Sequence, residues 1–222
     1  MLTSQQADLV FIGLAAAAGL AWGAVADRIA ARWPAHDDGS VRPIDWRSPV
    51  VALVGAAAFA LLADRLGNDP RAFVFIGVVV VLLILLFATD LDQRLLPDVV
   101  TLPLVGYAVV GFVTGIGPFV KTPSDLLWAA VVGLALPAGL LVVSIPFGAG
   151  AIGMGDLKLL LGVGLIVGAS RLVVTVVVGA LVAAVAIVIL IAARRITLKS
   201  YVPYGPFLIA GALWAMLGTR FA

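Results

Sequence analysis

The chain has 222 residues, of which 63% are hydrophobic and only 12% are charged, and its mean hydropathy is +1.20. A soluble globular protein is about half apolar and about a quarter charged, so this composition predicts an integral membrane protein. The formal net charge of +2, without a basic patch that contains aromatic residues, gives no reason to expect a nucleic-acid partner.

Two missing residue types exclude several chemistries. The chain contains no cysteine, which excludes disulfides, thiol nucleophiles and zinc bound by cysteine. The single histidine, His36, excludes any site that needs two histidines. Because His36 lies in a polar stretch away from the apolar runs, we interpret it as a solvated loop residue. Neither a cofactor nor a metal ion is predicted.

Eight apolar runs predict an all-α membrane protein, a polytopic bundle of about eight transmembrane helices. Lipid-exposed backbone must be hydrogen-bonded within helices or closed barrels, and the runs lack the alternation of barrel strands. The predicted spans are 7–26, 49–63, 72–89, 99–116, 126–147, 157–169, 172–193 and 206–217. Pro137 and Gly139 are expected kink points in the fifth. The first span is expected to be retained, because no basic region precedes it.

The distribution of lysine and arginine predicts the orientation, because these residues concentrate in cytoplasmic loops. With the N-terminus outside, nine of them lie on the cytoplasmic side and five on the outer side. The polar loop 27–48 and the pair Arg194 and Arg195 contribute most of this bias. We divide the chain into N-terminal spans over 1–71, which include this loop, and a membrane core over 72–222.

Two aspartates at the ends of apolar runs are the strongest indication of function. Asp90 follows the third span and Asp156 precedes the sixth. A charged side chain near the bilayer centre costs about 2.5–3.5 kcal/mol, so carboxylates in such positions indicate a functional site. Because two spans separate them, both aspartates should emerge on the same, cytoplasmic face.

Two neighbouring carboxyl groups can share one proton, so that one activates water as a base and the other acts as an acid. This chemistry requires no metal, cofactor or covalent intermediate. The glycine-rich segment 148–155 before Asp156 would let a peptide approach closely, although such glycines also pack helices. Asp156 itself also suits a helix N-terminus.

Other polar residues near the pair have less certain roles. Asp92 is either a solvated loop acid or a partner of Arg94. Asp98 follows Pro97 and is predicted to be the N-cap of the fourth span. Lys158 does not face Asp156 on a helix, so it either extends to the membrane interface or positions substrate.

Three blocks, 90–98, 153–160 and 202–208, together resemble the type IV prepilin peptidases, which are intramembrane aspartic proteases of the Gly-x-Gly-Asp class. The resemblance implies that Asp90 and Asp156 are catalytic and that 72–222 is the peptidase core. It also implies supporting or substrate-positioning roles for Gly153, Gly155, Lys158, Arg94, Pro97, Asp98, Pro203, Gly205 and Pro206.

The implied reaction is cleavage of a basic leader from a prepilin-like or pseudopilin-like precursor at the cytoplasmic face of the cytoplasmic membrane. The hydrophobic helix of the substrate would remain among the membrane lipids. Bacterial members usually carry two Cys-x-x-Cys pairs in a cytoplasmic domain that is linked to zinc and N-methylation. Here a short loop without cysteine replaces that domain, so the resemblance is to a short form and N-methylation is left in doubt.

Two further hypotheses stay open at the level of sequence. Membrane-embedded aspartates also occur in ion or proton transporters. Alternatively, the chain is a structural membrane subunit in which the glycines only pack helices.

Overall fold

The structure is a computed structural model that describes residues 4–37, 39–144, 153–195, 197 and 203–218. These residues form eight helices: α1 (Ser4–Ala30), α2 (Arg47–Leu66), α3 (Pro70–Gln93), α4 (Asp98–Val113), α5 (Pro123–Ser144), α6 (Met154–Val167), α7 (Ala169–Ala192) and α8 (Gly205–Leu217). The all-α prediction is confirmed, and the helix ends differ from the predicted ones by at most about one turn. The predicted end of the fifth span, at Phe147, lies outside the described residues. Helix α5 continues past both Pro137 and Gly139.

Five of these helices, α1, α2, α3, α5 and α7, are long and apolar enough to cross a membrane. Helices α4, α6 and α8 contain 16, 14 and 13 residues, fewer than the roughly 20 that a complete crossing requires. Large apolar side chains point outward along α7, including Leu181 at 62% exposure and Val185 at 60%. Such a continuous apolar surface is typical of a helix that faces lipid.

Helix α3 lies at the centre of the bundle, where it packs against α1, α2, α4 and α8. Its middle is fully buried at Leu83, Ile84 and Leu86. Helix α8 is short but largely buried. It packs closely on α7, and a glycine makes this close contact possible. A Cβ atom at Gly211 would overlap the Thr175 carbonyl oxygen of α7. The close α7–α8 contact therefore depends on glycine at this position.

Both ends of α3 have a local cause. At its start, the Asp69 carboxylate accepts hydrogen bonds from the backbone N–H groups of Arg71 and Ala72, both at 3.1 Å. At its end, Arg94 adopts a left-handed conformation with φ 57°, and its N–H bonds to the Asp90 carbonyl oxygen. Helix α3 therefore ends within one turn of Asp90. The starts of α6 and α8 lie close to this last turn.

Candidate active site

Asp90 and Asp156 line one cavity of about 250 Å³ at the end of the bundle where α3 ends and α6 begins. The two carboxyl groups are thus on the same face, as the number of intervening spans predicts. The other lining residues come from the turn after α3 and from the start of α6: Arg94, Leu95, Leu96, Asp98, Gly153, Met154, Gly155 and Lys158. When both carboxyl groups are ionised in such a site, they repel each other, which favours sharing of one proton.

The Asp90 carboxyl group is held in the last turn of α3 with only 5% exposure. Its Oδ2 atom is buried and has no hydrogen-bond partner within the described ranges. The start of α8 lies directly against it: a Cβ atom at Gly205 would be 2.5 Å from Oδ2 and 2.6 Å from Cγ. Since non-bonded contacts of a real Cβ atom are essentially never this short, a side chain at position 205 would have to displace the Asp90 carboxyl group.

The Asp156 carboxyl group lies in the first turn of α6 and is 8% exposed. Its Oδ2 atom accepts a hydrogen bond of 2.9 Å from the Gly153 N–H, while the Asp156 N–H donates to the Gly153 carbonyl at 3.1 Å. The predicted capping role is therefore present. It uses one carboxylate oxygen and fixes the direction of the other, so capping and a catalytic role are compatible.

Gly153 and Gly155, which precede Asp156, differ in how much room there is for a side chain. A Cβ atom at Gly155 would be 2.9 Å from the Cβ of Leu96, so this glycine permits close contact with the turn after α3. A Cβ atom at Gly153 would be 3.7 Å from Asp156 Oδ2, an ordinary contact. Most of the glycine-rich segment, residues 148–152, lies outside the described residues.

Asp98 and Lys158 form an ion pair across the rim of the cavity. The Lys158 ammonium donates to both Asp98 carboxylate oxygens at 2.7 Å, which joins the start of α4 to α6. The prediction that Asp98 caps α4 is wrong: Pro97 occupies the cap position and Asp98 is the first helical residue. The reason is that the Asp98 side chain is directed to the lysine instead of to its own backbone.

The remaining predicted residues surround the cavity. Arg94 lines it and also lines a neighbouring recess that contains Pro203 and Trp46. Pro206 is buried in the first turn of α8, where proline is well tolerated because its missing N–H would have no helical partner.

Tyr204 is a neighbour of the pair that sequence reasoning missed. It directly precedes α8, and burial, together with the charge of Asp156, raises the pKa of Tyr204 above its ordinary value. The phenol thus stays neutral and able to donate a hydrogen bond. Its position inside the block 202–208 was the only available signal, and Val202 lies outside the described residues.

Asp92 and His36 do not behave as the sequence suggested. Asp92 is 2% exposed and pairs with Arg42 Nε at 2.6 Å, while His36 Nε2 lies 3.1 Å from Asp92 Oδ2. The prediction of a solvated His36 is therefore wrong, and Asp92 is not a solvated loop acid. Burial alone would lower the pKa of Arg42, but a hydrogen bond and charge from Asp27, with the charges of Asp92 and Asp45, raise it.

Comparison with known proteins matches residues 77–191 to the type IV leader peptidase family. The chain belongs to this family. Its relatives include proteins named prepilin leader peptidase/N-methyltransferase from Stutzerimonas stutzeri, 33% identical over 78% of this chain and 59% of the relative, and from Aeromonas hydrophila, 31% identical over 82% and 63%. No solved structure matches the chain.

This leader peptidase family member spans about three fifths of the length of the curated relatives it matches. The family assignment and the apolar helices agree on a multi-pass membrane protein. The matched segment includes α3 from Gly77 onward and the whole of α6, and hence both Asp90 and Asp156.

Proposed function

We propose that this protein is an intramembrane aspartic endopeptidase that removes the basic leader from type IV prepilin-like precursors. One observation carries the proposal: Asp90 and Asp156, from helices far apart in sequence, line a single cavity at one end of the bundle. Membership of the type IV leader peptidase family supports the substrate class.

The two aspartates have environments that suit opposite roles. The N–H that Gly153 donates to Asp156 favours an ionised carboxylate. No donor in the described part of the chain reaches Asp90 Oδ2, and this carboxyl group is buried. We therefore assign Asp156 as the base and Asp90 as the proton donor in the first step.

The reaction then needs only water and the peptide. Asp156 takes a proton from water as the water oxygen bonds to the scissile carbonyl carbon, and Asp90 gives its proton to the carbonyl oxygen. When the tetrahedral intermediate collapses, the carbon–nitrogen bond breaks and Asp156 gives its proton to the leaving nitrogen. At the same time Asp90 takes a proton from a hydroxyl of the intermediate, which restores the starting state of this aspartate pair, the dyad. The products are a carboxylic acid and an amine, and the dyad again holds one proton.

The position of the cavity fits a substrate with a membrane helix. The cavity is formed by helix ends, so the leader would lie in water while the following hydrophobic helix stays in the bilayer. We place this face in the cytoplasm and the N-terminus outside, because nine of the 14 lysines and arginines then lie on the cytoplasmic side. The proposal also keeps the boundary between the N-terminal spans, residues 1–71, and the peptidase core, residues 72–222.

The proposal is limited to hydrolysis. The names of the relatives include N-methyltransferase. This chain, however, contains no cysteine and has only a short loop between α1 and α2. We expect mass spectrometry of the mature product to show an unmodified amino terminus even when a methyl donor is added.

The test is cleavage of a prepilin-like precursor by the purified protein in liposomes. Asp90→Asn and Asp156→Asn should each reduce the rate by about 100-fold or more, since positioned acid–base groups typically contribute 10²–10⁴. Asp64→Asn is the matched control, because Asp64 is exposed at the opposite end of the bundle. Wild-type rates in either dyad variant would refute the assignment. Proton flux without cleavage, lost in Asp90→Asn, would favour a transporter instead.

A further inference from the structure

The loop between α1 and α2 is joined to the last turn of α3 by six charged side chains, which we call the ion-pair cluster. Its members are Asp27, Arg28, Arg42, Asp45, Arg47 and Asp92. Asp27 is 1% exposed and pairs with both Arg28 and Arg42. Three members of the cluster, Asp27, Arg42 and Asp92, thus have buried side chains near the end of the helix that carries Asp90, and the other three keep 28–29% side-chain exposure.

Asp92 is the point at which the cluster contacts α3. Arg42 Nε lies 2.6 Å from Asp92 Oδ1, and Arg47 Nη1 lies 3.3 Å from the same atom. His36 approaches the other oxygen at 3.1 Å. Both carboxylate oxygens of Asp92 are therefore held by the loop.

The next residue makes a second connection. The Gln93 side-chain amide donates to the Pro34 carbonyl oxygen at 2.7 Å and to the Ala30 carbonyl oxygen at 3.3 Å. Two consecutive side chains at the end of α3 thus contact residues 45 to 63 positions earlier in the chain.

The contacts of Asp92 lie on the opposite side of α3 from the Asp90 carboxyl group. Residues two positions apart on a helix point about 200° apart, so Asp92 faces the loop while Asp90 faces α8. The start of α8, at Gly205, packs on the Asp90 carboxyl group from the other side. The last turn of α3 is therefore held between the loop and α8.

The charges of the cluster balance. Three arginines and three aspartates give 3 − 3 = 0. Removal of one charge leaves a buried partner without compensation, whereas removal of Arg42 and Asp92 together leaves two of each sign.

We propose that the ion-pair cluster positions the Asp90 carboxyl group for catalysis, with Asp92 and Arg42 as the positioning residues. This inference rests on the proposed peptidase function. It assigns to the loop a role in setting the geometry of the dyad, although no residue of the cluster lines the cavity.

The test compares Asp92→Asn, Arg42→Met and the double variant, with Arg32→Met as a matched control. Arg32 lies in the same loop but is exposed and outside the cluster. For each folded, monodisperse protein, kcat and KM are measured on a prepilin-like precursor. Each single variant should lower kcat by about tenfold to hundredfold with KM within about twofold, because small displacements of catalytic groups have effects of this size.

The double variant should lower kcat no further than the more affected single variant, because either substitution alone already breaks the Arg42–Asp92 contact. Arg32→Met should match wild type. Unchanged kcat in the single variants, or an effect confined to KM, would overturn the proposal. So would losses in the two single variants that multiply in the double variant, because Arg42 and Asp92 would then act independently.

A second measurement separates this inference from the proposed function. Hydrogen–deuterium exchange of the amides at 90–94 should be faster in Asp92→Asn than in wild type and unchanged in Arg32→Met. If wild-type protein cleaves no precursor, the peptidase proposal is wrong, independently of the exchange result. If exchange at 90–94 is the same in Asp92→Asn and wild type, the loop does not hold this turn and the positioning role is wrong.

Discussion

The Asp90 carboxyl group lies so close to Gly205 that a side chain at position 205 would have to displace it. Asp90 is buried against the backbone at the start of α8, and only a residue without a side chain leaves room for its oxygens. Gly153 also lies beside a dyad carboxylate, but with space for a methyl group. These two glycines therefore allow steric effects on the two aspartates to be separated.

We predict that Gly205→Ala reduces the cleavage rate strongly and destabilises the protein by about 1–3 kcal/mol, because the added methyl must displace the Asp90 carboxyl group or α8. Gly153→Ala should change stability by no more than about 0.5 kcal/mol, since its φ of −88° suits alanine. Rates and unfolding midpoints of the reconstituted variants test this. Equal effects of the two substitutions would contradict the steric explanation.

At the scale of the helix, α3 is fixed separately at its two ends. The Asp69 cap is at the end opposite the dyad, and Asp90 lies 21 positions further along the helix, or about 32 Å. The capping hydrogen bonds should therefore contribute to the stability of α3 without influencing the chemistry.

We predict that Asp69→Ala lowers the free energy of unfolding by about 1 kcal/mol, the usual contribution of an N-cap. Asp69→Asn should retain most of this stability, because the amide oxygen can still accept from the Arg71 and Ala72 N–H groups. Denaturant unfolding of the protein in detergent measures the difference. The value of kcat per folded molecule should stay unchanged in both variants; a loss in Asp69→Ala alone would show that the two ends of α3 are coupled.

Local sequence determined most of what could be predicted about these elements. The apolar runs predicted all eight helices, and the number of spans between Asp90 and Asp156 predicted that they lie on one face. The ion-pair cluster could not be predicted, because Arg42 and Asp92 are 50 residues apart and only the packed fold brings them together. For the same reason the sequence predicts Asp98 as the cap of its own helix, although the partner of its side chain is Lys158 on α6.

At the scale of the whole molecule, the absence of cysteine provides a direct test of orientation. Single cysteines can be introduced on a background that contains none. Asn68 is exposed between α2 and α3, and Arg195 is exposed after α7, so the proposed topology puts them on opposite sides of the membrane.

We predict that a membrane-impermeant maleimide added to intact cells labels Asn68→Cys and leaves Arg195→Cys unlabelled. After the membrane is permeabilised, both variants should be labelled to a similar extent. The opposite pattern in intact cells would place the N-terminus and the dyad on the other sides of the membrane.

Helix α4 has a consequence for the bilayer around the protein. It has 16 residues, or about 24 Å of helix, yet large side chains such as Val99 and Leu102 face outward along it. The hydrocarbon layer is about 30 Å thick, and a short lipid-facing helix is accommodated by local thinning of the membrane. Because α4 begins at Asp98 on the rim of the cavity, this hydrophobic mismatch would bring the water phase closer to Asp90 and Asp156. The thickness of the surrounding lipid would then help to set how readily water enters the active site.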